Sequence, residues 1–502
     1  MLKARKKLAL LLAFIFAFSV FTQVLVIAQP VNTRFIDTSG HWAEEKILRW
    51  ADKGIILGNA GYFKPDASIT RAEFCAVINR IFGFSEASEV NFSDIDPEKW
   101  YAKDVAIARQ AGYIVGYGNN LFGPEDAIIK QDASRILYTV FSFDGSEEKT
   151  SFADDSDISA YARKAVSYLA SKGYVKGKNN RFYPKSKLTR AEFIDIIDNI
   201  IDELYNAKGT YNKAEANGNI VVSAGNVVLK DMVIEGNLYL APGIGNGNVT
   251  LNNVTVKGTT FANGGGENSI IIENSNLVTL VVMKVDGKIR IVARENTLIE
   301  NTQVYSGAIL ESDSETGGSF ENVEILQVLE AGQSITLDGD FASVSIEASG
   351  ITLDIPDGKI ENLNLAEGAE GANIIISQGA TVGTLIAGAS VNVSGKGTIN
   401  NAEINAANVV IEQNPGRITI SEGITASIGG RVVDNKTVSS GSSQGGSTTP
   451  PSNPTEPTDP TEPTDPNEPT EPEDPWTLVW ADEFDGGSVD TTKWTLVNQG
   501  GG

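Results

Sequence analysis

The feature that most constrains this fold is a five-residue motif that occurs twice, at Ile69–Glu73 and Leu188–Glu192. In each copy the threonine side chain can accept a hydrogen bond from the backbone N–H three residues on, and the glutamate can reach back to the threonine N–H. This reciprocal arrangement is a capping box, so the motif predicts two helix starts. The residues predicted as structural caps are Thr70, Glu73, Thr189 and Glu192.

An apolar stripe with one fixed set of offsets follows three positions, Arg71, Lys130 and Arg190. A shared register over such distances indicates an internal repeat of about 55 residues. The stripes are Phe74, Val77, Ile78, Ile81 and Phe82 in the first copy, Ala133, Ile136, Leu137, Val140 and Phe141 in the second, and Phe193, Ile196, Ile197, Ile200 and Ile201 in the third.

Each copy also shows the same order of motifs before its stripe. A Phe-x-Asp turn is followed by an aromatic residue, a glycine of the kind that ends helices, and a Phe-x-Pro loop. The turn aspartates are Asp37, Asp94 and Asp154; the aromatics are Trp42, Trp100 and Tyr161; the glycines are Gly54, Gly112 and Gly173. The order predicts three helix–loop–helix units, at residues 35–84, 92–143 and 152–205.

These motifs in this order resemble the S-layer homology (SLH) domain, present three times. The resemblance implies an all-α trimer of repeats that anchors an exported protein to the bacterial envelope by binding a secondary cell-wall polysaccharide, often one carrying acidic pyruvyl ketals. The glycan-binding candidates that it implies are Arg71, Arg190, Lys130, Trp42, Trp100, Asp37, Asp94 and Asp154.

Physical reasoning supports a binding role for the arginines and tryptophans. Arg71 and Arg190 lie at helix starts, where free N–H groups and the helix dipole favour an anion, and a guanidinium can pair with a carboxylate through two bonds. Trp42 and Trp100 offer flat faces for sugar rings. The alternative is that the tryptophans belong mostly to the core.

The second and third copies depart from the pattern. The second reads Ile129-Lys130-Gln131-Asp132, so the capping threonine is lost and the cation is a lysine, which lacks the planar fork of arginine. The third has Tyr161 instead of tryptophan. Binding sites between repeats are therefore not expected to be equivalent.

Overall composition excludes several classes of function. The chain has 502 residues and a formal net charge of -24, which argues against a nucleic-acid partner. One cysteine, Cys75, allows no disulfide within the chain, and with one histidine, His41, the sequence gives no basis for assigning a Cys/His zinc site or a Ser/His triad. We expect Cys75 to be a buried structural thiol, and we expect no cofactor or metal.

The first 28 residues are typical of a signal peptide. Lys3, Arg5, Lys6 and Lys7 form a basic segment, an apolar run follows, and Val26-Ile27-Ala28 is a plausible cleavage site. The alternative is a retained anchor. Cleavage near Ala28 predicts a secreted protein at the cell wall or S-layer, without stable membrane insertion.

Residues 210–436 change to short alternating runs rich in Asn, Gly, Val and Ile. A loose repeat of about 20 residues favours a parallel β-helix-like solenoid; a pair of β-sandwiches stays open. No recurrent acidic constellation is evident, so a spacer or weak glycan-binding module is favoured over an enzyme. The aligned polar positions are Asp231, Asn253, Asn274, Asn301, Asn322, Ser343, Asn362, Thr384 and Asn401.

The C-terminal part divides into a linker and the start of a further domain. Residues 437–475 are Ser/Gly-rich and then Pro/Thr/Glu/Asp-rich, which predicts a disordered tether. Residues 476–502, with Leu478-Val479-Trp480 before Asp482-Glu483-Phe484, resemble the opening of a glycoside hydrolase family 16 β-jelly roll. That family acts on 1,3- and 1,3-1,4-β-glucans, and its Glu-x-Asp-x-x-Glu strand is not found here.

Two functional hypotheses follow. The first is a wall-anchored endo-β-1,3(4)-glucanase of which this chain is a fragment, with β-glucan as substrate and with catalytic residues beyond residue 502. The second is a non-enzymatic envelope protein whose solenoid is structural or binds glycan. No catalytic residue is assigned in either case.

Overall fold

The computed structural model describes residues 35–89, 92–145, 149–267, 269–284, 287–327 and 332–435. The predicted signal peptide, the tether and the segment similar to family 16 lie outside these ranges. Within them, no helix combines the length and the apolar character needed to cross a membrane.

The first part of the described chain consists of three helix pairs, as the repeats predict. Gly54, Gly112 and Gly173 follow the first helix of each pair with φ angles of 72°, 75° and 71°, a left-handed conformation that glycine adopts without strain. The helices are α1 (Glu44–Asp52), α2 (Arg71–Phe82), α3 (Ala102–Gln110), α4 (Lys130–Val140), α5 (Ala160–Ser171) and α6 (Arg190–Ile200).

The three pairs close into a ring. The first helix of each repeat packs against the second helix of the preceding one: α3 against α2, α5 against α4, and α1 against α6. The stripe residues Phe74 and Phe193 meet inside this ring with their ring centroids 4.5 Å apart. Both are fully buried, so a core shared by all repeats replaces three separate cores.

Backbone hydrogen bonds close the same ring at its centre. Ile69 N donates to Leu188 O over 3.0 Å, Leu188 N donates to Ile128 O over 2.9 Å, and Ile128 N donates to Ile69 O over 3.1 Å. Each of these residues is buried and stands just before the second helix of its repeat. The three repeats are therefore parts of one cooperative unit.

The second part of the described chain is all β. Its strands are β1 (Ile201–Tyr205), β2 (Gly209–Tyr211), β3 (Glu215–Ala216), β4 (Asn219–Val222), β5 (Val227–Ile234), β6 (Leu238–Leu240), β7 (Val249–Ala262), β8 (Ile270–Glu273), β9 (Asn276–Val282), β10 (Ile289–Arg294), β11 (Leu298–Val304), β12 (Ala308–Ser312), β13 (Ser319–Ile325), β14 (Ser334–Gly339), β15 (Phe341–Ile346), β16 (Thr352–Ile355), β17 (Lys359–Leu365), β18 (Ala372–Ile376), β19 (Thr381–Ala387), β20 (Val391–Gly395), β21 (Thr398–Ile404), β22 (Val409–Ile411), β23 (Arg417–Ile420), β24 (Thr425–Ile428) and β25 (Arg431–Asp434).

These strands form a parallel β-solenoid of about 11 turns. From β9 to β22, each strand pairs in parallel with the strand two places further along the chain, as β11 does with β13 and β12 with β14. Aliphatic side chains fill the interior, and Phe320 stacks on Phe341 at 5.5 Å. The solenoid prediction is confirmed, and the β-sandwich alternative is wrong.

The polar repeat that indicated the solenoid mixes two different positions of the turn. From Asn301 to Asn401 the aligned residues are direct register partners, beginning with Asn301 opposite Asn322. Asn274, however, hydrogen-bonds Glu295 of the next turn, and the partner of Asn301 is Thr279. The alignment of Asn274 with Asn301 is therefore wrong.

The earlier polar residues occupy a corner of the solenoid. Asp231, Asn253 and Asn274 have φ angles of 53°, 56° and 49°, and Asn and Asp tolerate this left-handed conformation better than most residues. Residues on either side of Asp231 pair with residues on either side of Asn253, so β5 bends onto a second side of the turn. Asparagine recurs there because the backbone turns.

The helical ring and the solenoid share one apolar junction. Helix α6 continues directly into β1, which pairs in parallel with β4. The solenoid thus begins at Ile201, inside the segment assigned from sequence to the third repeat. Outward-facing residues of successive turns then pack on the helices; they are Val221, Tyr239, Phe261 and Val281. The next positions in this column are polar, Gln303 and then Glu324.

Candidate functional site

Both predicted capping boxes are formed. Thr70 Oγ1 accepts from Glu73 N at 3.2 Å, and Thr70 N donates to Glu73 Oε2 at 3.0 Å. The matching distances for Thr189 and Glu192 are 3.1 and 3.0 Å. In repeat 2, Ile129 stands at the cap position and makes no side-chain cap. The four residues therefore hold two helix starts.

The first N–H groups of α2, α4 and α6 are not free. Arg71 N donates to Asp126 O and Ala72 N to Pro124 O, at 2.9 and 3.1 Å. The same two bonds run from repeat 2 to repeat 3 and from repeat 3 to repeat 1. The prediction of free N–H groups for an anion is wrong, because a loop of the next repeat supplies their acceptors.

Arg71 lies almost entirely inside the ring, with 6% of its surface exposed. Its Nε donates to Phe122 O at 2.8 Å and its Nη2 to Val115 O at 3.1 Å. The guanidinium also lies 4.4 Å from the ring centroid of Tyr117, within the range of a cation–π contact. The side chain thus joins repeat 1 to the loop of repeat 2.

Arg190 and Lys130 form the other two links between repeats. Arg190 Nη1 donates to Glu73 Oε1 at 2.8 Å, and Lys130 Nζ donates to Glu192 Oε1 at 2.6 Å. Each capping glutamate therefore uses one oxygen for its own helix and the other for a neighbouring repeat. Repeat 2 has the shorter Asp132 at the equivalent position, and Arg71 bonds to backbone carbonyls instead.

The three turn aspartates are locked into their own repeats. Asp37 accepts from Phe63 N and Lys64 N at 2.8 and 2.7 Å, and Asp94 and Asp154 accept two N–H bonds from the equivalent loop residues. Burial opposes ionisation, but the backbone donors outweigh it and lower the pKa of Asp37 and Asp154. These carboxylates fasten the loops of their own repeats, and their role in glycan binding stays a prediction.

The aromatic residues of the first helices are exposed. Trp42, Trp100 and Tyr161 keep 62%, 59% and 50% of their surface accessible. Each stands at the start of a helix that packs on the preceding repeat, so each lies beside a junction between repeats. The alternative that the tryptophans are core residues is wrong.

Tyr161 differs from the tryptophans because its hydroxyl is held by repeat 2. It accepts from Gln131 Nε2 at 2.8 Å and donates to Asp132. Burial, followed by the Asp132 carboxylate, raises the pKa of Tyr161 to about 12. The motif order does not predict this contact. Its one sign in the sequence is that two neighbouring copies change together: repeat 2 has Asp132 instead of glutamate, and repeat 3 has Tyr161 instead of tryptophan.

Other reactive groups are not assembled into a site. Cys75 is buried, and burial raises the pKa of its thiol to about 12, as expected of a structural cysteine. His41 Nε2 lies 3.4 Å from Asp66 Oδ1. Among the described residues, no group of three or more His, Cys, Asp and Glu side chains is placed to hold a metal ion.

Comparison with known families identifies the repeats. The model of the S-layer homology domain matches residues 34–75, 91–134 and 151–194. The chain carries three S-layer homology domains. The matched segments cover the turn aspartates, the exposed aromatics and the starts of α2, α4 and α6, so the geometry described above belongs to these domains.

Two curated relatives and one solved structure show similarity over about a third of the chain. An amylopullulanase of Thermoanaerobacterium thermosulfurigenes is 34% identical over 34% of this chain and 10% of its own length. A cellulosome-anchoring protein of Acetivibrio thermocellus is 26% identical over 28% of this chain and 34% of its own. The chitinase ChiW of Paenibacillus sp. str. FPU-7 is 27% identical over 32% of this chain and 14% of that chain, with a TM-score of 0.30. The chain thus spans a minor part of each protein.

Proposed function

We propose that the three SLH domains anchor this protein to the bacterial cell wall by binding a secondary cell-wall polysaccharide. The observation that carries the proposal is the exposed aromatic residue at the same place in all three repeats, Trp42, Trp100 and Tyr161. Large aromatic side chains are normally buried. Three exposed ones at equivalent positions favour a ligand with apolar faces, and sugar rings have such faces.

The shape of the ring supports this proposal. The aromatic residues lie at junctions between repeats, where backbone bonds and side-chain links fix one repeat against the next. We place Arg190 and Lys130 at the edge of the proposed sites, since their side chains are 15% and 17% exposed, and we assign Arg71 to positioning. A carboxylate of a pyruvylated sugar would compete with Glu73 or Glu192 for these cations.

The comparisons add a functional context. A relative named as a cellulosome-anchoring protein contains similar repeats, and a basic segment followed by an apolar run, as at residues 1–28, directs proteins for export. We therefore place the mature protein on the cell surface. In this setting the solenoid serves as a spacer between the wall and the segments after residue 435.

The anchoring proposal is tested with purified cell walls. We expect Trp42→Ala combined with Trp100→Ala to reduce wall binding of the full chain by at least tenfold, taking as a guide the loss of about 1–3 kcal/mol when an aromatic side chain that stacks on a nucleic-acid base is removed. Tyr62→Ala with Tyr183→Ala is the matched control, because these residues are similarly exposed, at 46% and 41%, but lie in loops. A folded tryptophan variant with unchanged wall binding would refute the proposal.

A second proposal concerns the activity that is anchored. We propose that residues 476–502 begin a family 16 domain, which would make the anchored protein an endo-β-1,3(4)-glucanase. The support is the Leu478–Phe484 run, and a relative named as an amylopullulanase shows that such repeats accompany glycosidases. Protein isolated from the native cell surface should then hydrolyse laminarin or lichenan; inactivity on both would favour a non-enzymatic envelope protein.

A further inference from the structure

The loops between the two helices have matching positions in the three repeats, except that repeat 2 has one additional residue, Tyr117, between Gly112 and Phe122. At its start, Ile36 N donates to Gly61 O, Ser93 N to Asn120 O and Ala153 N to Asn180 O. At its end, the carbonyls of Ala67, Asp126 and Ser186 accept from the second helix of a neighbouring repeat. Because the backbone bonds are shared, differences between the loops reflect side chains and not a different fold.

At five of these positions, repeat 3 has a cation where neither of the other repeats has one. The corresponding residues of repeats 1 and 2 are apolar, neutral or acidic. The sets are Lys176 against Leu57 and Val115, Lys178 against Asn59 and Gly118, Arg181 against Tyr62 and Leu121, Lys185 against Asp66 and Glu125, and Lys187 against Ser68 and Ala127. We call Lys176, Lys178, Arg181, Lys185 and Lys187 the basic loop surface.

The cations of the basic loop surface are exposed, and two of them lie directly opposite each other. All five are solvent-exposed, and no ion pair in the described part of the chain includes any of them. Lys178 N donates to Arg181 O at 2.8 Å and Arg181 N donates to Lys178 O at 3.0 Å, which sets these two residues directly opposite each other. Burial raises the pKa of Asp154, but the loop N–H groups, and to a smaller extent Arg181, lower it.

The fold does not require this concentration of charge. Repeats 1 and 2 form the same loop with leucine, tyrosine or aspartate at these positions, so the cations are not needed for its backbone bonds. Like charges this close repel one another, and the chain as a whole has a net charge of -24. A positive surface held on such a protein fits a negatively charged partner.

We propose that the basic loop surface of repeat 3 binds a repeating anionic polymer of the cell wall, through phosphodiester or carboxylate groups, as a contact additional to the aromatic sites. The inference rests on the proposed anchoring function, which favours a wall polymer over a nucleic acid. Repeats 1 and 2 present apolar, neutral or acidic side chains at the same positions, so the three domains differ in the chemistry that they offer to the wall.

The test uses the full chain and two defined polymers, poly(glycerol phosphate) for phosphate and polygalacturonate for carboxylate, with dextran as the neutral reference. The variant combines Lys176→Gln, Lys178→Gln, Arg181→Gln and Lys185→Gln. We expect it to lose at least about tenfold in affinity for one or both anionic polymers at low salt and to show a weaker salt dependence, because fewer counterions are released on binding. The polymer for which the variant loses affinity shows whether the surface binds phosphodiester or carboxylate groups.

A charge-matched control carries Lys208→Gln, Lys230→Gln, Arg417→Gln and Arg431→Gln, all exposed residues outside the helical repeats. We expect this control to bind the anionic polymers like the unmodified chain. Equal binding by the two variants, no binding of either anionic polymer by the unmodified chain, or tighter binding of duplex DNA than of both polymers would overturn the proposal. Circular dichroism of the basic-loop variant confirms that it folds.

The two proposals fail in different ways. If the tryptophan variant binds purified walls normally while the basic-loop variant loses the anionic polymers, the aromatic anchoring sites are refuted and the polyanion surface stands. If the tryptophan variant no longer binds purified walls and the basic-loop variant keeps its affinity for the anionic polymers, binding by the basic loop surface is refuted and aromatic anchoring stands.

Discussion

The helical repeats and the solenoid both derive from internal repetition, but one closes on itself and the other does not. Each helical repeat contacts both others, through the bonds among Ile69, Ile128 and Leu188. Each solenoid turn contacts the turns directly before and after it, as β13 contacts β11 and β15. The ring also has specific side-chain links between repeats, from Arg190 to Glu73 and from Lys130 to Glu192, whereas the solenoid depends on a backbone ladder that many sequences can supply.

The largest expected difference comes from deleting one repeat. Removing residues 83–141 would join Phe82 to Ser142, which occupy successive positions of the shared register, and would take repeat 2 out of the ring. Arg71 would lose its carbonyl acceptors and α5 its partner α4. We expect the helical part to lose its whole unfolding free energy, about 5–15 kcal/mol, measured by denaturant titration with circular dichroism.

The matched deletion in the solenoid should be tolerated. Removing residues 343–361 joins Ala342 to Asn362, the residue that pairs with Ser343, and takes out one complete turn. Since neighbouring turns keep compatible registers, we expect a cooperative fold shortened by one turn. Collapse of this variant, or an intact ring after loss of repeat 2, would contradict the distinction between a closed and an open repeat.

A smaller effect is expected from one loop aspartate. Asp154→Asn leaves one oxygen where two N–H groups donate, so we expect the helical part to lose about 1–3 kcal/mol of unfolding free energy. Exposed Asp157 of the same repeat is the control, as Asp157→Asn. The folded pKa of Asp154 lies below its ordinary value of 3.8, so its stabilisation is present above that pH and is lost as the pH falls through the folded pKa. If Asp154→Asn were as stable as the unmodified chain at neutral pH, Asp154 would not stabilise its loop.

A large part of this fold could be predicted from the sequence, because a residue type that recurs at the same position of each repeat indicates the structural role of that position. The capping boxes and the helix-ending glycines follow from local chemistry, and the solenoid follows from its period. The occupied helix N–H groups could not be predicted, since their acceptors come from Pro124 and Asp126 of another repeat. Asn274 cannot be told from Asn301 by residue type, because asparagine occurs both at the bend of a solenoid turn, as at Asn274, and within a strand, as at Asn301.

The site was predicted less well than the fold. Position within a motif cannot distinguish an arginine that binds a ligand from one that joins repeats, and Arg71 is turned inward by two carbonyls. The turn aspartates are equally ambiguous until their N–H partners are visible. Differences between copies carried more information, as Tyr161 with Asp132 and the cations of repeat 3 show.

The smallest expected effect compares two ion pairs. Lys130→Met removes a link between repeats whose lysine is 17% exposed, and we expect a loss of about 1–2 kcal/mol in the unfolding free energy of the helical part. Lys257→Met removes the pair with Glu235 on the solenoid surface, where the side chains are 55% and 43% exposed, and the expected loss is below about 0.5 kcal/mol. Equal losses in thermal unfolding would show that the link between repeats contributes no more than a surface pair.

The direct passage from Ile200 to Ile201 has a mechanical consequence. No flexible residue separates the last helix from the first strand, and Tyr239 O–H donates to Phe141 O at 2.7 Å across the junction. A load applied to the distant turns of the solenoid therefore has no hinge at this point about which to swivel. We therefore expect tension and torque on the solenoid to pass directly into the helical ring, across the packed side chains of Val221, Tyr239, Phe261 and Val281.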